Sequence, residues 1–334
     1  MKNRIIISLF LLAAFCATTV FAQNCDDFGK LVDKTYNFKP SKISSAERDA
    51  KSVEMDVVWN KVKANPQTLL PCLREAIRTR TNDSFFRFDA SNLLIQFDPS
   101  KEAKEILIDA FAKVDFADIA LQYWLPYIAI LGYEGFDTSA AGETWLKYPN
   151  PRYTLPQHGG REVTKEIGAL SIYGSMDEAM ALPALVKIAS QENHSGREIA
   201  IGILLQQATA ESFKELKKLN QKGLSEATKQ KMNSLLSKPN LLTAREGTPK
   251  ITRQQYLDAF QQLTNGKTQL FMKLTVDVPD GEKDAIAVLK QEDIPLVRKA
   301  RRIFAASANP HTAEWYKSFT NILLAMTWKP ELVK

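Results

Sequence analysis

Residues able to do acid–base, nucleophilic or metal chemistry are few in this chain, and they are scattered. Histidine occurs three times, at His158, His194 and His311. A zinc site needs two or three such ligands converging with carboxylates. Stacked helix pairs could bring His158 and His194 within one pair of each other, but His311 lies far along the chain. No metal site is therefore expected. The signatures HExxH, GxSxG, GxxxxGK[ST] and GxGxxG are all absent. No residue stands out as catalytic and no cofactor is implied. Asp277, Asp280, Glu282 and Asp284 cluster in DVPDGEKD, without the alternating oxygens of an EF-hand loop. They read instead as acids at a helix N-terminus starting near Asp280.

Two clusters suit binding rather than bond-making. The segment 147–161, KYPNPRYTLPQHGGR, carries three prolines and a glycine pair and cannot run as one helix. It offers Tyr148, Arg152, Tyr153, His158 and Arg161, aromatic and basic groups of the kind that anchor protein partners. Such a segment is either a binding loop on a regular scaffold or a connector whose tyrosines cover the core. The second cluster is Arg298, Lys299, Arg301 and Arg302. It reads as a solvated helix face or as a weak contact with an anionic surface.

The first two dozen residues set the compartment. Lys2 and Arg4 precede a short apolar run, and Val20-Phe21-Ala22 places small residues before Gln23. This predicts a secretory signal peptide over residues 1–22, cleaved after Ala22, and a periplasmic or extracellular protein. Removing Lys2 and Arg4 lowers the formal charge from +6 to +4. So small an excess argues against nucleic acid as a partner. Cys16 leaves with the signal, so Cys25 and Cys72 remain. In an exported protein two cysteines most simply pair, so a Cys25–Cys72 disulfide is expected; the alternative is a buried, free Cys72 and a Cys25 at a frayed terminus. No later stretch is apolar enough to serve as a transmembrane segment; Leu121 to Leu131 is interrupted by Gln122 and Pro126.

Helical periodicity dominates the remainder. Met55, Val58, Trp59 and Val62 form one stripe, and Phe86, Ala90, Leu93 and Phe97 another. Capping boxes are expected at Ser44–Glu47, Ser175–Glu178, Ser195–Glu198 and Thr252–Gln255. Asn65-Pro66, Asp98-Pro99 and Asn309-Pro310 read as helix starts. Only Phe271 to Val278 could be a strand, and a frayed helix fits it equally well.

The helices come in short pairs that repeat. Arg87, Ala90, Leu94, Gln96, Lys104 and Glu105 recur as Arg197, Ala200, Leu204, Gln206, Lys214 and Glu215, all at one offset. Residues 168–185 read as the same unit, with a helix ending near Gly174 and another starting near Glu178. In the fainter copy at Arg298, Arg301 stands where alanine is expected. These segments resemble HEAT repeats. The resemblance implies an all-α, right-handed α-solenoid of HEAT-like helix pairs, in which each pair touches its neighbours and a long face is free for macromolecules. The expected organisation is a repeat domain over 23–237, a linker over 238–250 (KPNLLTAREGTPK) and a smaller C-terminal helical unit over 251–334. The function this implies is an exported, non-catalytic scaffold for a protein partner. The alternative is an enzyme or small-ligand-binding protein with its site near Lys147–Arg161.

Overall fold

The computed structural model describes residues 25–81, 83–114, 124–147, 153–154, 162–237, 239–277, 280–307 and 310–329. The expected signal peptide lies outside them. Among the described residues the chain is all-α, with seventeen α-helices and one antiparallel pair of two-residue strands. It divides into two compact units, residues 1–120 and 121–334.

The first unit contains α1 (residues 25–35), α2 (Ser45–Ala64), α3 (Pro66–Thr79), α4 (Ser84–Phe97) and α5 (Lys101–Ala112). The capping box starts α2: Ser44 accepts the Glu47 amide, and Glu47 accepts the Ser44 amide in return. Val58, Trp59 and Val62 are buried beneath it. Pro66 opens α3, where its missing N–H costs nothing. The cap of α5 is Ser100, not Asp98. Asp98 instead ends α4 and accepts a charged hydrogen bond from Arg74. Phe97, expected inward, is exposed because α4 ends there.

Cys25 and Cys72 are disulfide-bonded, with Cα atoms 5.0 Å apart, and so tie α1 to α3. Around that link Phe28, Val32, Tyr36, Leu73, Ile77 and Phe86 form a core with the α2 residues. Tyr36 donates to Asp89 Oδ2 at 2.6 Å. Burial pushes the pKa of both groups up.

The second unit begins with α6 (Leu125–Tyr133) and α7 (Ser139–Lys147), then strands β1 (Tyr153–Thr154) and β2 (Glu162–Val163). It continues with α8 (Lys165–Ser175), α9 (Glu178–Ser190), α10 (Arg197–Gln207), α11 (Ala210–Lys218) and α12 (Glu226–Ser237). After non-helical residues 239–252 come α13 (Arg253–Thr264), α14 (Gln269–Asp277), α15 (Gly281–Val288), α16 (Ile294–Ala306) and α17 (Pro310–Thr327). The ambiguous stretch from Phe271 is thus helical.

Two expected caps are replaced. Asp177 rather than Ser175 caps α9, because Ser175 is the last residue of α8. Gly196 precedes α10 with no side-chain cap, because Ser195 Oγ donates to Leu146 O instead. An unanticipated box at Thr209 and Ser212 starts α11.

Helices that follow one another pair along the chain, α7 with α8, α9 with α10 and α16 with α17, and α6 packs on α8. But α16 also packs on α6, α8 and α13. Residues 239–252 therefore run inside the second unit, and the C-terminal helices share a body with residues from 125 onward.

Arg301 shows why. It is fully buried. It donates to Glu178 Oε1 (2.6 Å), Gln206 O (2.6 Å), Gln207 O (3.1 Å) and Thr320 Oγ1 (3.2 Å), and lies over the Tyr316 ring. One side chain thereby joins α9, α10, α16 and α17. This corrects the basic-patch reading: Arg301 cannot reach an anionic surface. Arg302 pairs with Asp177 at 3.2 Å, and Arg298 donates to Ala208 O at 3.3 Å. Of the four, Lys299 alone is exposed.

Candidate functional site

The segment singled out by its prolines is held between α7 and α8. Tyr148, Arg152, His158 and Arg161 lie outside the described residues. The Tyr153 backbone opens β1 and pairs with Val163, and Thr154 pairs with Glu162, in antiparallel register.

Its two feet are pinned together. Thr164 caps α8 by accepting the Ile167 amide. Lys165 Nζ donates to Leu146 O at 2.9 Å, and Ser195 Oγ donates to the same carbonyl at 3.2 Å. Trp145 Nε1 donates to Lys165 O at 3.0 Å. The helices can approach this closely because Gly168 has no side chain: a Cβ there would lie 2.4 Å from the Trp145 ring. The two feet are thus tied to each other, and the Leu146 foot is tied also to the connection between α9 and α10.

Beside the feet lies a polar cleft of about 600 Å³, walled by Lys165, Glu166, Glu192, His194, Glu198 and Gly223 among others. His194 Nδ1 accepts the Gly196 amide at 3.0 Å, while Nε2 has no hydrogen-bond partner among the described residues. Burial holds its imidazole below the ordinary value of 6.5; Lys147, Lys165 and Lys187 add to that and Glu143 opposes it. Burial also lowers Lys165. Glu198 goes below the usual carboxylate range, because Ser225 and Thr228 donate to it. Glu143 is lowered too, first by its hydrogen bond from Lys147 at 2.9 Å.

Arg197 contributes shape rather than charge to this cleft. It is buried, and its nitrogens donate to Ala189 O, Lys222 O and Asn220 O. Ser195 Oγ is held by a carbonyl and His194 Nδ1 by an amide, so these two groups are not arranged as nucleophile and base. Among the described residues no group of three or more His, Cys, Asp or Glu side chains could hold a metal ion. The cleft can accept and donate hydrogen bonds through a neutral imidazole, a lysine and several carboxylates. Sequence reasoning found the segment but not its bed: Lys165 and Glu143 belong to no motif, Glu198 reads only as the end of a helix cap, and His194 meets the feet only through the turn before α10.

Compared with protein-family models, curated proteins and solved structures, the chain matches none of them.

Proposed function

We propose that this chain is an exported, non-catalytic binding protein built on right-handed, HEAT-like helix pairs. It holds a protein partner through residues 147–161 and the polar cleft at their feet. The observation that carries this reading is the double anchoring of the segment: Leu146 O accepts from both Lys165 and Ser195. A loop fixed at both ends loses less entropy on binding than a free one. Its composition, with Tyr148, Arg152, Tyr153, His158 and Arg161, is that of an interface anchor. A disulfide-bonded cysteine pair, and no described helix long and apolar enough to cross a membrane, are compatible with export.

The test starts by capturing partners from the native envelope fraction with the mature protein. Arg152→Ala combined with Tyr153→Ala should then weaken the captured partner about tenfold or more, ~1.4 kcal/mol, with helical content and melting temperature unchanged. Undiminished binding with a lowered melting temperature makes the segment a structural connector. A second reading, a small-ligand-binding protein with its site at the same place, draws on the volume of the cleft, about 600 Å³.

A further inference from the structure

The second unit contains another cavity, remote in sequence from the 147–161 segment and different in chemistry. It has a volume of about 360 Å³ and lies among α13, α14, α15 and α17, with Leu242 from the non-helical stretch on one side. This is within the range of small-molecule sites, ~300–1,000 Å³. Tyr256, Phe260, Phe271, Trp315 and Phe319 wall it. Their rings are in mutual contact: Phe271 and Trp315 meet edge to face at 5.2 Å, Phe260 and Phe319 at 5.1 Å, Phe271 and Phe319 at 5.6 Å.

The polar groups of this cavity stand at the first turn of α15. Glu282 accepts hydrogen bonds from Ser318 Oγ and from Asn321 Nδ2, the latter at 3.3 Å. Both donors are neutral, so they orient the carboxylate without cancelling its charge. The lining cation, Lys283, lies 3.8 Å from Asp280. The next acid, Asp284, is fully buried and paired with Arg245. The positive end of the helix offsets roughly half a charge. Two lining acids, Asp280 and Glu282, against one lining cation and that half charge leave the wall negative, and among the described residues Glu282 has no cationic partner at salt-bridge distance.

An aromatic cage beside a carboxylate so held matches one ligand chemistry. Aromatic faces attract cations, and more strongly once water is excluded. The apolar walls take a hydrocarbon body. An anionic ligand would meet Glu282 and Asp280, and a neutral one would leave the carboxylate unused. We propose that this cavity binds a small organic ammonium ion, with its apolar body among Phe260, Phe271, Trp315 and Phe319 and its ammonium group at Glu282.

The experiment uses the full mature chain and three probes of one shape: protonated phenethylamine, neutral 2-phenylethanol and anionic phenylacetate. Calorimetry and the tryptophan indole N–H resonances report binding. Phenethylamine should bind saturably at one site and shift the Trp315 resonance. The neutral probe should bind about tenfold more weakly and the anion not measurably. Glu282→Gln should weaken phenethylamine about tenfold, ~1.4 kcal/mol, and leave 2-phenylethanol unchanged. A Leu242→Trp variant, which places an indole at the cavity wall, should block both. Phenylacetate binding as tightly as the amine, an unchanged affinity in Glu282→Gln of unchanged melting temperature, or no saturable binding of the amine would each overturn the proposal. Because none of these residues lines the cleft at 147–165, the outcome is independent of the partner reading.

Discussion

At the scale of single residues, the buried arginines of the two segments with matching spacing, Arg87 and Arg197, do the same work. Arg87 Nε donates to Ile77 O at 3.1 Å and Arg197 Nε to Ala189 O at 3.0 Å, both at the end of the preceding helix. Their remaining nitrogens reach forward, Arg87 to Asp109 and Arg197 to Lys222 O and Asn220 O. The alignment of the two arginines was legible from spacing alone. Their role was not, because backbone carbonyls carry no sequence signature. Arg197→Ala should cost about 1–3 kcal/mol for each buried carbonyl left without a donor, read as a drop in urea midpoint; a midpoint within error of the parent contradicts the peg. His194 offers a second prediction. As pH falls through 6.5 the unfolded chain takes up a proton that the folded imidazole refuses, so stability falls until the lower folded pKa is reached. Imidazole NMR should show His194 titrating below 6.5, burial being the main cause. A midpoint at or above 6.5 removes that destabilisation.

At the scale of elements, two close contacts decide how the helices meet. The pair of Glu178 and Arg301 is buried and holds α16 against α9 and α10. Arg301→Ala leaves that carboxylate without its cation and should cost about 3–5 kcal/mol. Combining it with Glu178→Gln should cost less than the sum of the single changes, because the charge left behind is gone; additive losses in denaturant unfolding would show the pair is uncoupled. Gly168 is the second contact. The Trp145 ring fills the space of its missing Cβ, so Gly168→Ala should force α7 from α8 at about 1–3 kcal/mol. A thermal melt unchanged by the substitution sinks that account. Element type was readable locally: Pro66 and Thr252 start helices as their residue types require. The misread starts had other partners. Asp98 was drawn to Arg74, and Ser195 to Leu146 O.

At the scale of the molecule, the disulfide belongs wholly to the first unit. It spans 47 residues, for which the chain-entropy model gives about 4 kcal/mol. Reduction, or Cys72→Ala, should lower the melting of residues 25–114 and leave that of residues 124–329 in place. Hydrogen exchange read unit by unit distinguishes this from a uniform loss of protection.

The sequence by itself determined the helical class, the helix starts at Ser44, Pro66 and Thr252, and a shared spacing that places Leu94 and Leu204 inward, both of which are fully buried. Each is a local property of periodicity, capping or proline, and local chemistry enforces it before any long-range contact exists. Only the tertiary structure decided that Arg301 is a buried staple rather than a surface charge, that α16 returns to α6 and α8, and that His194 stands at the feet of the 147–161 segment. It also decided that aromatic rings from α13, α14 and α17 close around a cavity walled in part by Glu282. These depend on which apolar faces meet and which carbonyls fall within reach, and a linear pattern of residue types does not record that.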